Sequence, residues 1–175
     1  GDNVYELSAN WADHTFQFLG GNDHISVADG GHRVFAHLGD GDDVFIGNAG
    51  SDGTYGSNGA DSLYGGGGTD VLDGGAGDDL IEGEEGADLI YGDSGDDSLV
   101  GGNENDFLDG GEGQYDFAVY SGAANEYEIK FNEDGLLAIS DSVAERDSDD
   151  LLVNIEYLQF SDTVINSSTI PGGPN

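Results

Sequence analysis

The fold is decided by residues 38–109, which run in nines as LGDGDDVFI (38–46), GNAGSDGTY (47–55), GSNGADSLY (56–64), GGGGTDVLD (65–73), GGAGDDLIE (74–82), GEEGADLIY (83–91), GDSGDDSLV (92–100) and GGNENDFLD (101–109). The consensus is G-G-x-G-x-D-x-U-x, with U apolar, held for eight units without a slip. In each unit the first six residues carry glycine where a tight turn needs positive φ, and the last three set one apolar residue between two mostly polar ones. That pattern predicts a turn followed by a three-residue strand. The inward residues are Phe45, Thr54, Leu63, Leu72, Ile81, Ile90, Leu99 and Leu108. One unit alone buries too little to offset its ordering entropy, so coils of two units stack at the ~4.8 Å spacing of paired strands.

Stacking turns the acids into columns. Asp43, Asp61, Asp79 and Asp97 fall on one edge, and Asp52, Asp70, Asp88 and Asp106 on the other. Carboxylates held ~5 Å apart repel by roughly 3 kcal/mol per pair at an effective dielectric near 20, so bare columns would split the roll. A hard divalent cation between successive turns reverses the sign. Calcium accepts 6 to 8 oxygens in irregular geometry, carbonyls included, and glycine-rich turns expose carbonyls. Magnesium demands a strict octahedron, and transition metals want nitrogen or sulfur, which the turns lack. A merely solvated acidic face is the alternative, but random acids would not keep one phase over eight units. The candidate metal residues are the eight column aspartates, Asp23 before them, and the turn glycines Gly41, Gly50, Gly59, Gly68, Gly77, Gly86 and Gly95. Gaps between turns predict roughly six to eight calcium ions. Extracellular calcium modules bind at ~0.1 to 1 mM, so several millimolar calcium would add about 1 to 2 kcal/mol per site.

The nonapeptide resembles the RTX (repeats-in-toxin) family of calcium-binding repeats. The run AVYSG (118–122), a strand pair, and then DSDDLLVNIEYLQFSD (147–162) resemble the carboxy-terminal flank of RTX blocks in secreted adhesins, lipases and proteases. The resemblance implies an all-β, right-handed parallel β-roll, a flank that nucleates its folding, and type I export. On this reading residues 1–37 are an amino-terminal cap with degenerate repeats, 38–118 the calcium-binding roll, 119–170 an antiparallel β cap and 171–175 a linker or frayed end. The terminus PGGPN lacks the acidic-hydrophobic pattern of a type I secretion signal, and the chain reads as a module of a larger secreted or surface protein.

Composition agrees. Three Lys and Arg against 37 Asp and Glu give a net charge of -34, which makes nucleic acid and anionic membranes poor partners. The absence of Cys excludes disulfides and thiolate chemistry. No apolar run approaches the ~18 residues of a membrane span. His14, His24, His32 and His37 share no zinc-binding spacing and read as spectators.

The flanks carry weaker signals. Short alternating segments around residues 4–7, 15–18, 25–27 and 34–35 read as strands, with His32 where an Asp is expected and a two-residue slip at Ala36 and His37. Trp11 and Phe16 are expected to cover the open end of the array. In GGEGQYDFAVYSG (110–122) Tyr115 takes the Asp place and Asp116 follows one late, so the array is expected to end there. Residues 127–131 and 136–140 read as a hairpin around Glu133-Asp134-Gly135, and Asp147, Asp149 and Asp150 as a solvated acidic loop. Gly53 and Thr54 look poorly packed, Leu38 replaces the first Gly of its unit, and Glu104 sits where the backbone needs positive φ, which puts the Asp106 site in question.

No nucleophile elbow, zinc-protease motif or Cys nucleophile occurs, and neither Pro follows Asp as self-cleaving relatives require. No enzymatic activity is expected. Two functions remain: a calcium-triggered folding module that stabilises its parent, or a calcium-dependent adhesion or carbohydrate-binding surface using Tyr55, Tyr64 and Tyr91.

Overall fold

The computed structural model describes residues 1–8, 14–28, 30–143 and 149–171. Strands β1 (Val4–Leu7), β2 (His14–Gln17), β3 (His24–Val27) and β4 (Val34–Asp40) precede the regular repeats. These continue as β5 (Val44–Ile46), β6 (Gly53–Asn58), β7 (Ser62–Gly67), β8 (Val71–Ala76), β9 (Leu80–Glu85), β10 (Leu89–Ser94), β11 (Ser98–Asn103) and β12 (Phe107–Asp109). After them come β13 (Phe117–Val119), β14 (Tyr127–Phe131), β15 (Leu137–Asp141), β16 (Asp149–Val153), β17 (Tyr157–Gln159) and β18 (Val164–Asn166). Strands β1 to β14 alternate between two nine-stranded sheets, β1-β3-β5-β7-β9-β11-β13-β17-β18 and β14-β15-β16-β12-β10-β8-β6-β4-β2, after which β15 and β16 stay beside β14 and β18 beside β17. The result is a parallel β-solenoid of about six turns with antiparallel strands at its carboxy-terminal end.

Register follows the eighteen-residue coil. Phe45 lies opposite Leu63 and Leu63 opposite Ile81; on the other sheet Thr54, Leu72, Ile90 and Leu108 stack likewise. All eight inward residues are buried, and all but Thr54 form one hydrophobic core with Ile25, Ala36, Ala118, Leu152 and Leu158. The three-residue strand is too short a reading, because β6 to β11 have six residues each. The ladder runs on through the start of the next turn, pairing Ser57 with Gly75 and Asn58 with Ala76. Backbone groups that a free turn would leave to water are thereby satisfied by the coil above.

The slip lies elsewhere than Ala36. Tyr5 pairs with Ile25, Phe16 with Ala36 and Ile25 with Phe45, a twenty-residue spacing, while Ala36 pairs with Thr54 at eighteen. The two extra residues between Ile25 and Phe45 therefore fall in the connection between β3 and β4, those between Tyr5 and Ile25 fall between β1 and β2, and Ala36 is an ordinary core residue, 2% exposed. Val34, not His32, occupies the aspartate place, since its N–H donates to Asp52 Oδ1 at 2.7 Å. At this end Phe16 packs on the core and stacks on Phe18 at 6.5 Å, with Tyr5 4.7 Å from Phe18. Trp11 lies outside the described residues.

The solenoid does not stop at residue 118. β16 pairs in parallel with β12, and β17 in parallel with β13, so Leu152 stacks on Leu108 and Leu158 on Ala118. Among the described residues, only β14, β15 and β18 run antiparallel. The hairpin turn expected at residues 133–135 is formed, with Gly135 at φ 80° and Asn132 Oδ1 accepting the Asp134 and Leu136 N–H groups. A cluster of Tyr120, Tyr127 and Phe160, with ring centroids 5.1 to 5.4 Å apart, fills the space beneath the cap.

Candidate metal centre

Each turn is shaped by glycines that tolerate no side chain. Gly59, Gly77 and Gly95 have φ of 133° to 141°, and a Cβ on any of them would strike the carbonyl of the equivalent glycine one coil earlier. The first glycine of the unit has a second constraint. A Cβ on Gly56 would collide with both Asp61 Oδ2 and the Gly74 carbonyl; one on Gly83 would meet Asp88 Oδ2 and the Gly101 carbonyl. A carboxylate oxygen and a carbonyl oxygen of the next coil thus crowd the same bare Cα.

Each aspartate serves two coils. One oxygen accepts the backbone N–H of the aspartate one coil earlier: Asp43 N–H to Asp61 Oδ1 at 2.7 Å, Asp61 to Asp79 at 2.7 Å, Asp79 to Asp97 at 2.8 Å. The second column repeats this from Asp52 through Asp70 and Asp88 to Asp106, at 2.6 to 2.8 Å. The other oxygen, Oδ2, is buried without a hydrogen-bond partner in Asp43, Asp61, Asp70, Asp79, Asp88, Asp97 and Asp106. Leaving such a group unmet is expensive, and a row of them fits a cation as partner.

Electrostatics point the same way. Burial pushes the Asp70 and Asp79 carboxyls up to about 7, Asp61 and Asp97 to about 6 and Asp106 to about 8, against the lowering effect of the N–H each accepts. Neighbouring column carboxylates add to the rise. Asp43, Asp52 and Asp88 are raised from the same first cause. A group that resists ionisation when bare is one that a cation would ionise.

The donor set is oxygen throughout. Among the described residues no three His, Asp or Glu side chains converge, so the oxygens available to one ion are one or two carboxylates plus turn carbonyls. This suits calcium, which takes carboxylates and carbonyls at variable angles and supplies the positive charge the columns lack. Residues 35–54, 55–90 and 82–115 match a family model described as the RTX calcium-binding nonapeptide repeat (4 copies). The repeats are an RTX β-roll block. No curated protein matches the chain.

Three positions of the RTX block depart from expectation. At Asp52 the Oδ2 accepts the Asn48 N–H at 3.1 Å, while Asn48 is itself buried and tied to the His32 carbonyl and the Gly50 N–H. Gly50, unlike its counterparts, does not take positive φ. That turn is stapled by its own polar groups, and the coil before it carries Val34 in place of an aspartate. At Glu104 the backbone does take φ 75°, yet Asp106 keeps both its bond to Asp88 N–H and its unpartnered Oδ2. Gly53 is covered by the Phe35 ring, so the packing weakness narrows to Thr54, whose Oγ1 is buried without a partner.

Both columns run past the repeats. Asp23 begins one, its N–H donating to Asp43 Oδ1 at 2.6 Å. Asp116 continues it, accepting from Asp97 N–H at 2.9 Å, because the extra residue at Tyr115 bulges outward. Asp150 continues the other, accepting from Asp106 N–H at 3.0 Å; it is 1% exposed in β16 and not part of a solvated loop, and Asp147 lies outside the described residues. Asp150-x-Leu152 and Glu156-x-Leu158 repeat the D-x-U triplet of the array, a signal readable without coordinates. The four histidines are exposed and apart. Tyr55 and Tyr91 lie on one sheet and Tyr64 on the other, so the three share no surface.

Proposed function

We propose that this chain is a calcium-dependent folding and stabilising module of a larger secreted or surface protein, unfolded where calcium is scarce and folded after export. The observation that carries the reading is the row of buried, unpartnered Oδ2 atoms beside next-coil carbonyls. Asp23, the eight repeat aspartates and the turn glycines are the proposed ligands of roughly six to eight ions. With Asp52 Oδ2 already hydrogen-bonded, the ions of that column concentrate from Asp70 onward. RTX β-rolls are structural, non-catalytic domains, and among the described residues no helix is long and apolar enough to cross a membrane. Circular dichroism titrated with calcium against magnesium tests the reading. A β spectrum should grow with calcium alone; a fully β spectrum in chelator would sink it.

One surface favours a second, carbohydrate-binding reading. Tyr55, Asn58, Asp93, Ser94, Asp109 and Asn154 line a groove of about 520 Å³ floored by Gly75, Ala76 and Gly111. Carboxylates and amides facing a tyrosine suit a neutral polyhydroxyl ligand. Glycan binding that survives Tyr55→Ala would reject this groove.

A further inference from the structure

The column through Asp97 does not end with the last glycine-rich turn. Asp116 is 0% exposed, and while its Oδ1 accepts from Asp97, its Oδ2 has no hydrogen-bond partner. The turn that carries it, residues 110–116, is answered in the next coil by only three residues, Asn154, Ile155 and Glu156. Glu156 Oε2 accepts the Asp116 N–H at 3.1 Å, the bond that an aspartate makes in each coil before it. The Asn154 carbonyl crowds Gly110 as the Gly110 carbonyl crowds Gly92 one coil earlier, with Asn154 held at φ 50°. A Cβ on Gly113 would stand 2.7 Å from both oxygens of Asp116. The charged neighbours of Asp116 are Glu156 and Asp96, both acidic. Two carboxylates and a carbonyl meet there without a counter-charge.

We infer that the junction between the last repeat turn and the β16–β17 coil is itself a calcium site, held by Asp116, Glu156 and the Asn154 carbonyl, and that filling it seats the carboxy-terminal coil on the roll. The inference rests on the calcium reading of the repeat turns but concerns a different link. Contacts within the repeats join residues 18 apart, whereas this one joins residues 40 apart and closes the whole hairpin-bearing excursion. The stack of Tyr115 on Tyr157, centroids 6.0 Å apart and planes 14° from parallel, and of Phe117 on Tyr157 at 5.1 Å, lies beside the same junction.

The test uses the full chain and its Glu156→Gln variant, with calcium counted by equilibrium dialysis and amide hydrogen exchange followed along a calcium titration. The variant should bind one ion fewer and need about tenfold more calcium to protect the amides of β17, with protection of β6 to β11 unchanged. An unchanged ion count with unchanged β17 protection overturns the site, and an ion lost without any loss of protection overturns the seating role. If the wild-type chain binds no calcium at all, the repeat reading fails and this one with it. Crystals of the wild-type chain grown in calcium give a check that does not depend on the variant folding. An anomalous peak is expected between Asp116 and Glu156, and its absence while the repeat turns are filled overturns the proposal.

Discussion

Thr54 concentrates the residue-scale lesson: a hydroxyl placed in an all-hydrocarbon column is buried with nothing to bond. An unmet buried polar group costs about 1 to 3 kcal/mol, so Thr54→Val, nearly equal in shape, is expected to stabilise the calcium-loaded chain by about 1 kcal/mol in a denaturant titration. Glu104 stores strain of a different sort. A non-glycine residue at φ 75° loses roughly 1 to 2 kcal/mol to Cβ contacts, whereas glycine adds 0.5 to 1 kcal/mol of chain entropy to the unfolded state. The first effect is larger, so Glu104→Gly should raise stability by about 0.5 to 1 kcal/mol, read as a higher melting temperature. At Gly59 the balance is one-sided. A Cβ there meets the Gly41 carbonyl, and Gly59→Ala should lower stability by about 3 kcal/mol or more and weaken calcium binding on both sides of that coil.

At the scale of elements, the repeat made the strands legible and the flanks hid them. The inward residue of every unit from Phe45 to Leu108 could be named because one apolar residue per nine fixes which face is buried. Strand length could not, because residues at the start of each turn become strand only when another coil supplies their partners. The same holds for β16 and β17, whose alternation alone does not distinguish a parallel coil from an antiparallel cap; their pairing with β12 and β13 does. Beyond β17 the sheet ends in β18, only three residues long. Short edge strands limit sheet-to-sheet pairing, so truncation after Gln159, which uncovers β17, should produce concentration-dependent association in light scattering. A truncated chain that stays monomeric at high concentration would assign that protection to another element.

For the whole molecule the decisive quantity is the charge of the columns. Burial raises Asp61, Asp70, Asp79, Asp97 and Asp106 to about 6 to 8, above the unfolded value, and raises Asp43, Asp52 and Asp88 in the same direction. A raised group contributes stability that is complete below its unfolded pKa and is lost as pH rises through its folded one. Without calcium the fold should therefore lose stability as pH rises from about 4 to 8, which leaves the chain unfolded in chelator at neutral pH. With saturating calcium the ion holds these ligands ionised, so stability should stay level from about pH 6 to 9 and fall only as pH drops towards the unfolded carboxyl value. Melting curves across that range in both conditions test this, and parallel pH profiles would contradict it.

The sequence alone determined the period, the inward residues, the two acidic columns and the choice of calcium, because each depends only on spacing and on the chemistry of the side chains spaced. Tertiary structure decided where the columns begin and end. Asp116, Asp150 and Glu156 join them from 19, 44 and 40 residues away, distances that no nine-residue frame predicts. It also decided that Asn48 satisfies Asp52 from within its own turn, since the backbone path of that turn, where Gly50 lacks the positive φ of its counterparts, brings the Asn48 N–H to Oδ2.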